Sequence, residues 1–518
     1  MFGIRAVYHS FWIKFGAALA LVALGDALFY QMDRGGSTIG VFAGAWLVAA
    51  LAAGRAMRHD RRALICLGAA GIFAAALVLN PSPLAWVLFW TTLSMAALLP
   101  GTAAFDDAWR WLQRLVVHGC LNMIGPAIDS FKLRRLHSFP SWQHGMRGLL
   151  PILVLPLIGS AVILTLFSAA NPVIGDMFSR LSLPALSASQ VFRAIFWAML
   201  FTVVWGAFRP RRTNRLLSTF DGTGDMDLPG VNVLSILLSL ALFNMLFLLQ
   251  NALDIAYLWG GVPLPDGMTL AEYAHRGAYP LIGTALLAGG FVIVTLRPGS
   301  RTASHPHIRT LLVLWIGQNI FLVASTMLRT LDYVEAYSLT RMRIAALAWM
   351  ALVAIGLALI CWRMLRSKST SWLINTNCAV AAFVLAAFCF VDTGAMAAAW
   401  NVRHAREVGG KGAALDLCYL NSLGGSALLS LVYLEQQRLA PRFAARVQRV
   451  RHDVLGDVAR EQQNGSWTVR NALRLQNAKR QLGNPVPLPY DNWDCAGRLI
   501  RPAPSPAPPA PLTAPATQ

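Results

Sequence analysis

GVNVLSILLSLALFNMLFLLQNALDIA, residues 230–256, is 27 residues long and carries one charge, Asp254, close to its end. A bilayer span needs about 20 mostly apolar residues, and a helix that is apolar all round belongs in lipid or in a large core. Working outward, ten further stretches read the same way: 12–31, 37–54, 63–80, 84–104, 148–170, 189–208, 275–296, 308–329, 342–362 and 373–391. The expectation is an all-α polytopic membrane protein of about eleven transmembrane helices, with a small helical C-terminal region and a disordered Pro/Ala-rich tail. Composition agrees: the 518 residues are 56% hydrophobic and only 13% charged, against about 25% charged in soluble domains. A soluble enzyme is excluded, and so is a soluble body on a single anchor. Arg5 and Lys14 precede the first apolar run as in a signal peptide. No small-x-small cleavage site follows cleanly and more spans come directly after, so the run is read as a retained first span.

The formal charge of +20 is sorted by loop. With the N-terminus inside, inner segments receive Arg5 and Lys14; Arg55, Arg58, Arg61 and Arg62; Arg110, Arg114, Lys132, Arg134, Arg135 and Arg147; Arg209, Arg211, Arg212 and Arg215; Arg297, Arg301 and Arg309; and Arg363, Arg366 and Lys368. Outer loops hold far fewer, among them Arg34, Arg180, Arg276, Arg329, Arg341 and Arg343. This alternation is the positive-inside pattern and places the N-terminus in the cytoplasm. Eleven spans leave the chain outside from about Asp392. A competing reading makes 414–434 (ALDLCYLNSLGGSALLSLVYL) a twelfth span and returns the tail inside. The tail's 15 basic against 8 acidic residues favour that, weakly, because long segments cross regardless of charge. Against it, Asp416, Asn421 and Gly424-Gly425 interrupt the run, and Tyr419, Leu420, Leu423 and Ala427 share one helical face, as in an amphipathic helix of a small soluble domain.

The expected units are a four-helix membrane part at 1–104, a cytoplasmic amphipathic segment at 105–147, a seven-helix part at 148–392 whose family-like core is 230–392, a helical C-terminal region at 393–500, read as extracytoplasmic, and the tail at 501–518. Within 105–147, Asp106 and Asp107 suit a helix N-terminus. Trp109, Leu112 and Val116 lie on one face with Arg110 and Arg114 on the other, which reads as an interfacial helix with its arginines toward phosphates or as a simple topology anchor. None of the seven cysteines forms a CxxC pair, so no zinc or redox motif is expected. Cys66, Cys120, Cys361, Cys378 and Cys389 are in or beside spans. Cys418 and Cys495, alone in the tail, pair only if the tail meets an oxidising compartment.

Catalytic signatures are missing. GGKG at 409–412 lacks the leading glycine and following Ser/Thr of a phosphate loop, His305-Pro-His307 is a lone HxH read as solvated loop, and no HExxH or GxSxG occurs. Polar density instead gathers at the outer ends of the later spans. Asn244, Asn251 and Asp254 share one face of the seventh span, with Gln250 beside Asp254; Gln318, Ser325 and Arg329 share one face of the ninth, with Asn319 adjacent. Such residues usually bond neighbouring helices. The following loops add Glu272, Tyr273, His275, Arg276 and Tyr279, then Asp332, Tyr333, Glu335, Tyr337, Arg341 and Arg343. Asp254, Glu272, Asp332 and Glu335 can pair with Arg276, Arg329, Arg341 and Arg343 as an ion-pair network. Alternatively they line an outward cavity for an anionic or zwitterionic ligand, with arginine as the fork donor. Asp26, near the outer end of the first span, reads as an interfacial carboxylate.

The stretches 251–299 and 314–350, then AAAWNVRHA, LDLCYLNSLGGSALLSL and SWTVRNAL, resemble the bacterial integral-membrane family catalogued as domain of unknown function 4173, to which the group 4153 is a sister. The resemblance is specific over roughly 230–435 and rests on Asn251, Asp254, Tyr257, Glu272, Tyr273, Arg276, Arg329, Tyr333, Glu335, Tyr337, Arg341 and Arg343. It implies a polytopic bacterial inner-membrane protein without an established activity, cofactor or catalytic residue. The expected function is a non-catalytic sensor, scaffold or assembly factor, without cofactor or metal, whose partners are membrane lipids and another membrane or envelope protein rather than nucleic acid. A transporter of a small anionic or zwitterionic solute is the alternative, although no pair of Gly/Pro-broken spans marks an inverted repeat. A lipid-linked glycosyl transferase is weaker, because the first outer loop holds Asp33 alone.

Overall fold

The computed structural model describes residues 2–30, 35–102, 105–136, 187–211, 216–217, 232–256, 305–483 and 494–498, with single positions at 160 and between 283 and 291. Among these residues the regular structure is entirely helical. In chain order the helices are α1 (Phe2–Gly25, continued by a π turn at Asp26–Tyr30), α2 (Thr38–Ala53), α3 (Arg55–His59), α4 (Arg61–Leu79), α5 (Pro83–Leu98), α6 (Ala108–Leu136), α7 (Ala188–Phe208) and α8 (Val233–Asp254). They continue with α9 (Pro306–Tyr337), α10 (Arg341–Leu365), α11 (Thr370–Phe390), α12 (Thr393–His404), α13 (Leu417–Ser422), α14 (Leu428–Glu435), α15 (Pro441–Gln463) and α16 (Val469–Leu482).

Eight of them are long and apolar enough to cross a membrane: α1 with its π turn, α4, α5, α7, α8, α9, α10 and α11. α2, at 16 residues, is about 24 Å long. Nine of the expected spans therefore fall on described helices, whereas 148–170 and 275–296, like the tail from 501, lie outside the described residues apart from single positions. The chain is an all-α polytopic membrane protein. Local chemistry starts six of these apolar runs where a side chain can satisfy the free amides of a first turn. Asp60 accepts from Arg62 N at 2.9 Å, Ser82 from Ala85 N at 3.2 Å, Thr340 from Arg343 N at 3.3 Å and Ser369 from Trp372 N at 3.1 Å. Ser187 with Gln190 and Asn232 with Ser235 form reciprocal caps on α7 and α8.

Helices α1, α2, α4, α5 and α7 pack around Phe42, Trp46, Phe89, Trp205 and Phe208. A second cluster, Leu240, Leu312, Trp315 and Leu357, joins α8, α9 and α10. The outward faces stay apolar: Leu238, Met245 and Leu249 on α8 each expose more than half of their surface, as lipid-facing positions do. Gly40 lets α2 touch α4 backbone to backbone, since a Cβ there would lie 2.2 Å from Val78 N.

Hydrogen bonds sort the helix ends onto two faces. On one, Arg62 donates to Thr102 O at 3.1 Å, Ala108 N to Asn375 Oδ1 at 2.7 Å and Arg211 to Gly125 O at 2.8 Å. On the other sits a third cluster built from α12–α16 around Leu420, Leu428, Leu431, Val447 and Val454. Ser37 N donates to Trp467 O at 2.8 Å and Arg470 to Phe390 O at 2.8 Å, which fastens this C-terminal unit to the turns after α1 and α11. The segment 414–434 holds no helix long enough to cross a membrane. It is two short helices broken by a 3₁₀ turn at Gly424–Ser426, and α14, at eight residues, is about 12 Å long. Leu420, Leu423 and Ala427 are buried as expected from their shared face, but the glycine pair prevents one continuous helix.

The expected amphipathic segment appears as α6, with Asp107 accepting from Arg110 N at 2.8 Å. Trp109, Leu112 and Val116 are exposed along one side, while Trp111 is buried on the other. The arginines differ from expectation. Arg114 makes a two-pronged contact to Asp106 at 2.6 and 2.8 Å and Arg110 lies 3.6 Å from the same carboxylate, because the acidic pair placed for the helix start also lies within their reach.

Candidate functional site

The polar faces predicted on the seventh and ninth spans meet along the α8–α9 contact. Asn244 Nδ2 donates to Leu240 O and to Leu311 O at 2.7 and 2.9 Å. Gln318 donates to Asn244 Oδ1 at 3.3 Å, and Asn251 to Gln318 O at 3.3 Å. The ladder ends at Asp254, fully buried, which accepts from Gln250 at 2.9 Å and from Ser325 Oγ at 3.0 Å and is ion-paired with Arg329. Both carboxylate oxygens are thereby committed to holding α8 against α9. Asn319 is buried and donates to Trp315 O at 2.8 Å. Among the described residues Asn251 Oδ1 and Gln318 Oε1 are buried acceptors without a donor.

Beyond the ladder the outer loops diverge from a simple four-by-four network. Arg343 stacks over Tyr333, with its guanidinium carbon 4.3 Å from the ring centroid, and donates to Tyr337 O at 2.8 Å and to Ser338 O. Tyr333 and Tyr337 rings lie 4.7 Å apart. Arg341 N donates to the Tyr419 hydroxyl at 2.9 Å, and its guanidinium donates to Ser426 Oγ at 3.2 Å. Among the described residues Asp332 and Glu335 hold no ion pair. Glu272, Tyr273 and Arg276 lie outside the described residues, as does Tyr257. Of the network expected from sequence, Asp254–Arg329 is the pair brought together here; the other two arginines turn to hydroxyls and carbonyls that the loop geometry puts closer.

The carboxylate that gathers arginines is Asp392, at the joint between α11 and α12. It accepts from Ala395 N at 2.9 Å, capping α12, and from Ser426 Oγ at 3.2 Å. Arg474 is ion-paired with it and Arg470 lies 3.8 Å away. Burial, and then the charge of Arg341, pull the Arg474 guanidinium down to about 10. Nearby, Asn401 clamps Leu339, accepting from its N at 2.6 Å and donating to its O at 2.9 Å. Cys418 and Cys495 are disulfide-bonded, with Cα atoms 4.9 Å apart, and Arg451 holds Glu435 at 2.8 and 3.1 Å inside the same unit.

Two further knots lie elsewhere. Asp26 accepts from Arg193 Nε at 2.9 Å and from Trp197 Nε1 at 2.8 Å, so the first-span carboxylate has a partner that the sequence reading did not assign. On the opposite face Asp129 accepts from Trp205 Nε1 at 2.9 Å and pairs with Arg211 at 2.8 Å. Here His118 is fully buried, and burial pushes its imidazole down to about 4. Arg193 was legible as an arginine near the outer end of a span; Asp392, Arg470 and Arg474 are too far apart in sequence for any spacing rule. Among the described residues no group of three His, Cys, Asp or Glu side chains could hold a metal ion. The His305 and His307 rings sit 5.6 Å apart at the start of α9.

No curated protein and no solved structure matches the chain. The family model described as Domain of unknown function (DUF4153) matches residues 42–434, starting well ahead of the stretch 230–435 on which the resemblance rested and pointing to the sister group of the two. The matched region runs from α2 to the end of α14 and so takes in the ladder, Asp392 and the Asn401 clamp. Covering well over half of the 518 residues, it shows that the chain belongs to the DUF4153 family.

Proposed function

We propose that this is a non-catalytic protein of the bacterial inner membrane, a sensor or scaffold that displays its C-terminal unit on the extracytoplasmic side, with the N-terminus in the cytoplasm. The observation that carries this reading is the Asp392 knot. One carboxylate at the end of the last span ties two arginines of α16, Arg470 and Arg474, and the Ser426 hydroxyl, so these groups fasten the unit to the spans instead of lining a reaction site. Sidedness is supported by Arg55, Arg58, Arg62, Arg110, Arg114, Arg209 and Arg211 gathering on the face opposite that unit. The Cys418–Cys495 bond belongs with an oxidising compartment. The basic surplus of the tail then faces anionic headgroups or an acidic envelope protein. A periplasm-active reporter fused after residue 440 should be active and a cytoplasm-only reporter dark; the reverse result sinks the orientation. Arg474→Ala should release the unit, seen as faster proteolysis within 393–483, without loss of the membrane part.

A transporter of a small anionic or zwitterionic solute is the second reading. The observation that favours it, for a zwitterion, is the pair of oxygens of Asn251 and Gln318 in the α8–α9 ladder that take no donor among the described residues, since buried acceptors of this kind suit an ammonium group or a water. Substrate-dependent ion flux in proteoliposomes that disappears in Asn251→Ala would carry it, and absence of flux leaves the scaffold reading.

A further inference from the structure

Where the last turn of α9 meets α12 and the 409–412 loop there is a cleft of about 240 Å³ lined by Glu335, Ser338, Trp400, Asn401, His404 and Lys411. We propose that it binds a small zwitterion, with a phosphate or carboxylate at one end and an ammonium at the other. One carboxylate, Glu335 of α9, and one ammonium, Lys411 of the loop, line the cleft, and among the described residues no ion pair joins them. Its floor is aromatic: the Trp400 and His404 rings stack with centroids 4.0 Å apart and planes 22° from parallel, and an indole face attracts a cation. His404 Nδ1 lies 2.9 Å from Trp400 O, so Nδ1 carries the donor hydrogen and Nε2 of the neutral ring is an acceptor. Glu335, His404 Nε2 and the Trp400 face therefore suit the ammonium end. Lys411 and the Ser338 hydroxyl suit the anion.

Both walls are held before a ligand arrives, which lowers the ordering cost of binding. The Asn401 clamp on Leu339 fixes the chain next to Ser338. The glycine-rich loop, which is no phosphate loop, is folded under His404: Gly412 N donates to His404 O at 2.8 Å and Gly410 N to Ala405 O at 2.9 Å. A Cβ at Gly410 or Gly412 would lie 2.3 or 2.6 Å from His404 O. Only glycines let the backbone approach so closely, and Lys411 between them is carried to the cleft. The volume lies below the roughly 300–1,000 Å³ of drug-sized pockets, so the ligand is of amino-acid or phosphoethanolamine size. A free solute and a phosphatidylethanolamine headgroup offer the same chemistry at this level of the molecule.

The site does not depend on the scaffold reading. Phosphoethanolamine titrated calorimetrically into the full-length protein in detergent should bind, and Lys411→Gln and Glu335→Gln should each weaken it at least tenfold. Both side chains are exposed, so the thermal midpoint should stay unchanged, and Trp400→Phe should weaken binding by a smaller factor. That outcome assigns a free solute. No heat with phosphoethanolamine, but a phosphatidylethanolamine adduct in native mass spectra from nanodiscs of phosphatidylethanolamine and phosphatidylglycerol, lost in both variants, assigns a headgroup. Neither signal, or binding that both variants leave within twofold, overturns the site.

Discussion

Asp254 and Arg329 show what a single buried pair does between two spans. Removing one partner leaves an uncompensated charge, which costs about 3–5 kcal/mol in a protein interior. Asp254→Asn should therefore lower the unfolding free energy in detergent by that order, and Asp254→Asn with Arg329→Gln should recover more than half of the loss, as a double-mutant cycle would read. His118 gives a pH signature. Its imidazole drops from the ordinary 6.5 to about 4 on folding, because burial disfavours the cation. The unfolded chain binds more protons between those values, so stability is fully present above 6.5 and is lost as pH falls toward 4. The difference corresponds to about 3 kcal/mol. The thermal midpoint of the full-length protein should fall between pH 7 and pH 4.5, and His118→Gln should flatten that part of the profile.

At the level of helices, what the sequence makes legible is what repeats locally. Asp60, Ser82, Ser187, Asn232, Thr340 and Ser369 announce helix starts because capping acts over three residues. Apolar length announces spans for the same local reason. Asn244, Asn251 and Asp254, and Gln318, Ser325 and Arg329, were legible as faces because helical period alone aligns them. That the two faces meet each other is a property of packing. Asp392 escaped notice because its arginines, Arg470 and Arg474, lie far along the chain, and no periodicity links them to it. Gly40 escaped for a related reason: its need for glycine is set by Val78 on another helix. Gly40→Val should push α2 off α4 and lower stability by about 1–3 kcal/mol, measured as a drop in midpoint, whereas Gly44→Val, with open space around its Cβ position, should change little.

For the molecule as a whole, the disulfide closes a loop of 77 residues, which chain-entropy arguments value at about 4 kcal/mol. Cys418→Ser with Cys495→Ser should loosen the C-terminal unit selectively, and protein from native membranes should shift on a gel only after reduction. Two free tail thiols in native membranes would contradict the outer location. The spans beneath should keep their midpoint, since their core clusters are separate from that of the unit. Ser37 ties early and late segments of the chain together: besides its N–H bond to Trp467 O, its Oγ accepts from Val469 N at 3.2 Å, across 432 residues. At roughly 5–20 residues per second, the first hairpin waits tens of seconds, inserted but unlatched, for the segment that completes it. Ser37 is thus a timer contact, closed only on chains translated past Val469, and a ribosome that stops early leaves its product open at the turn between α1 and α2.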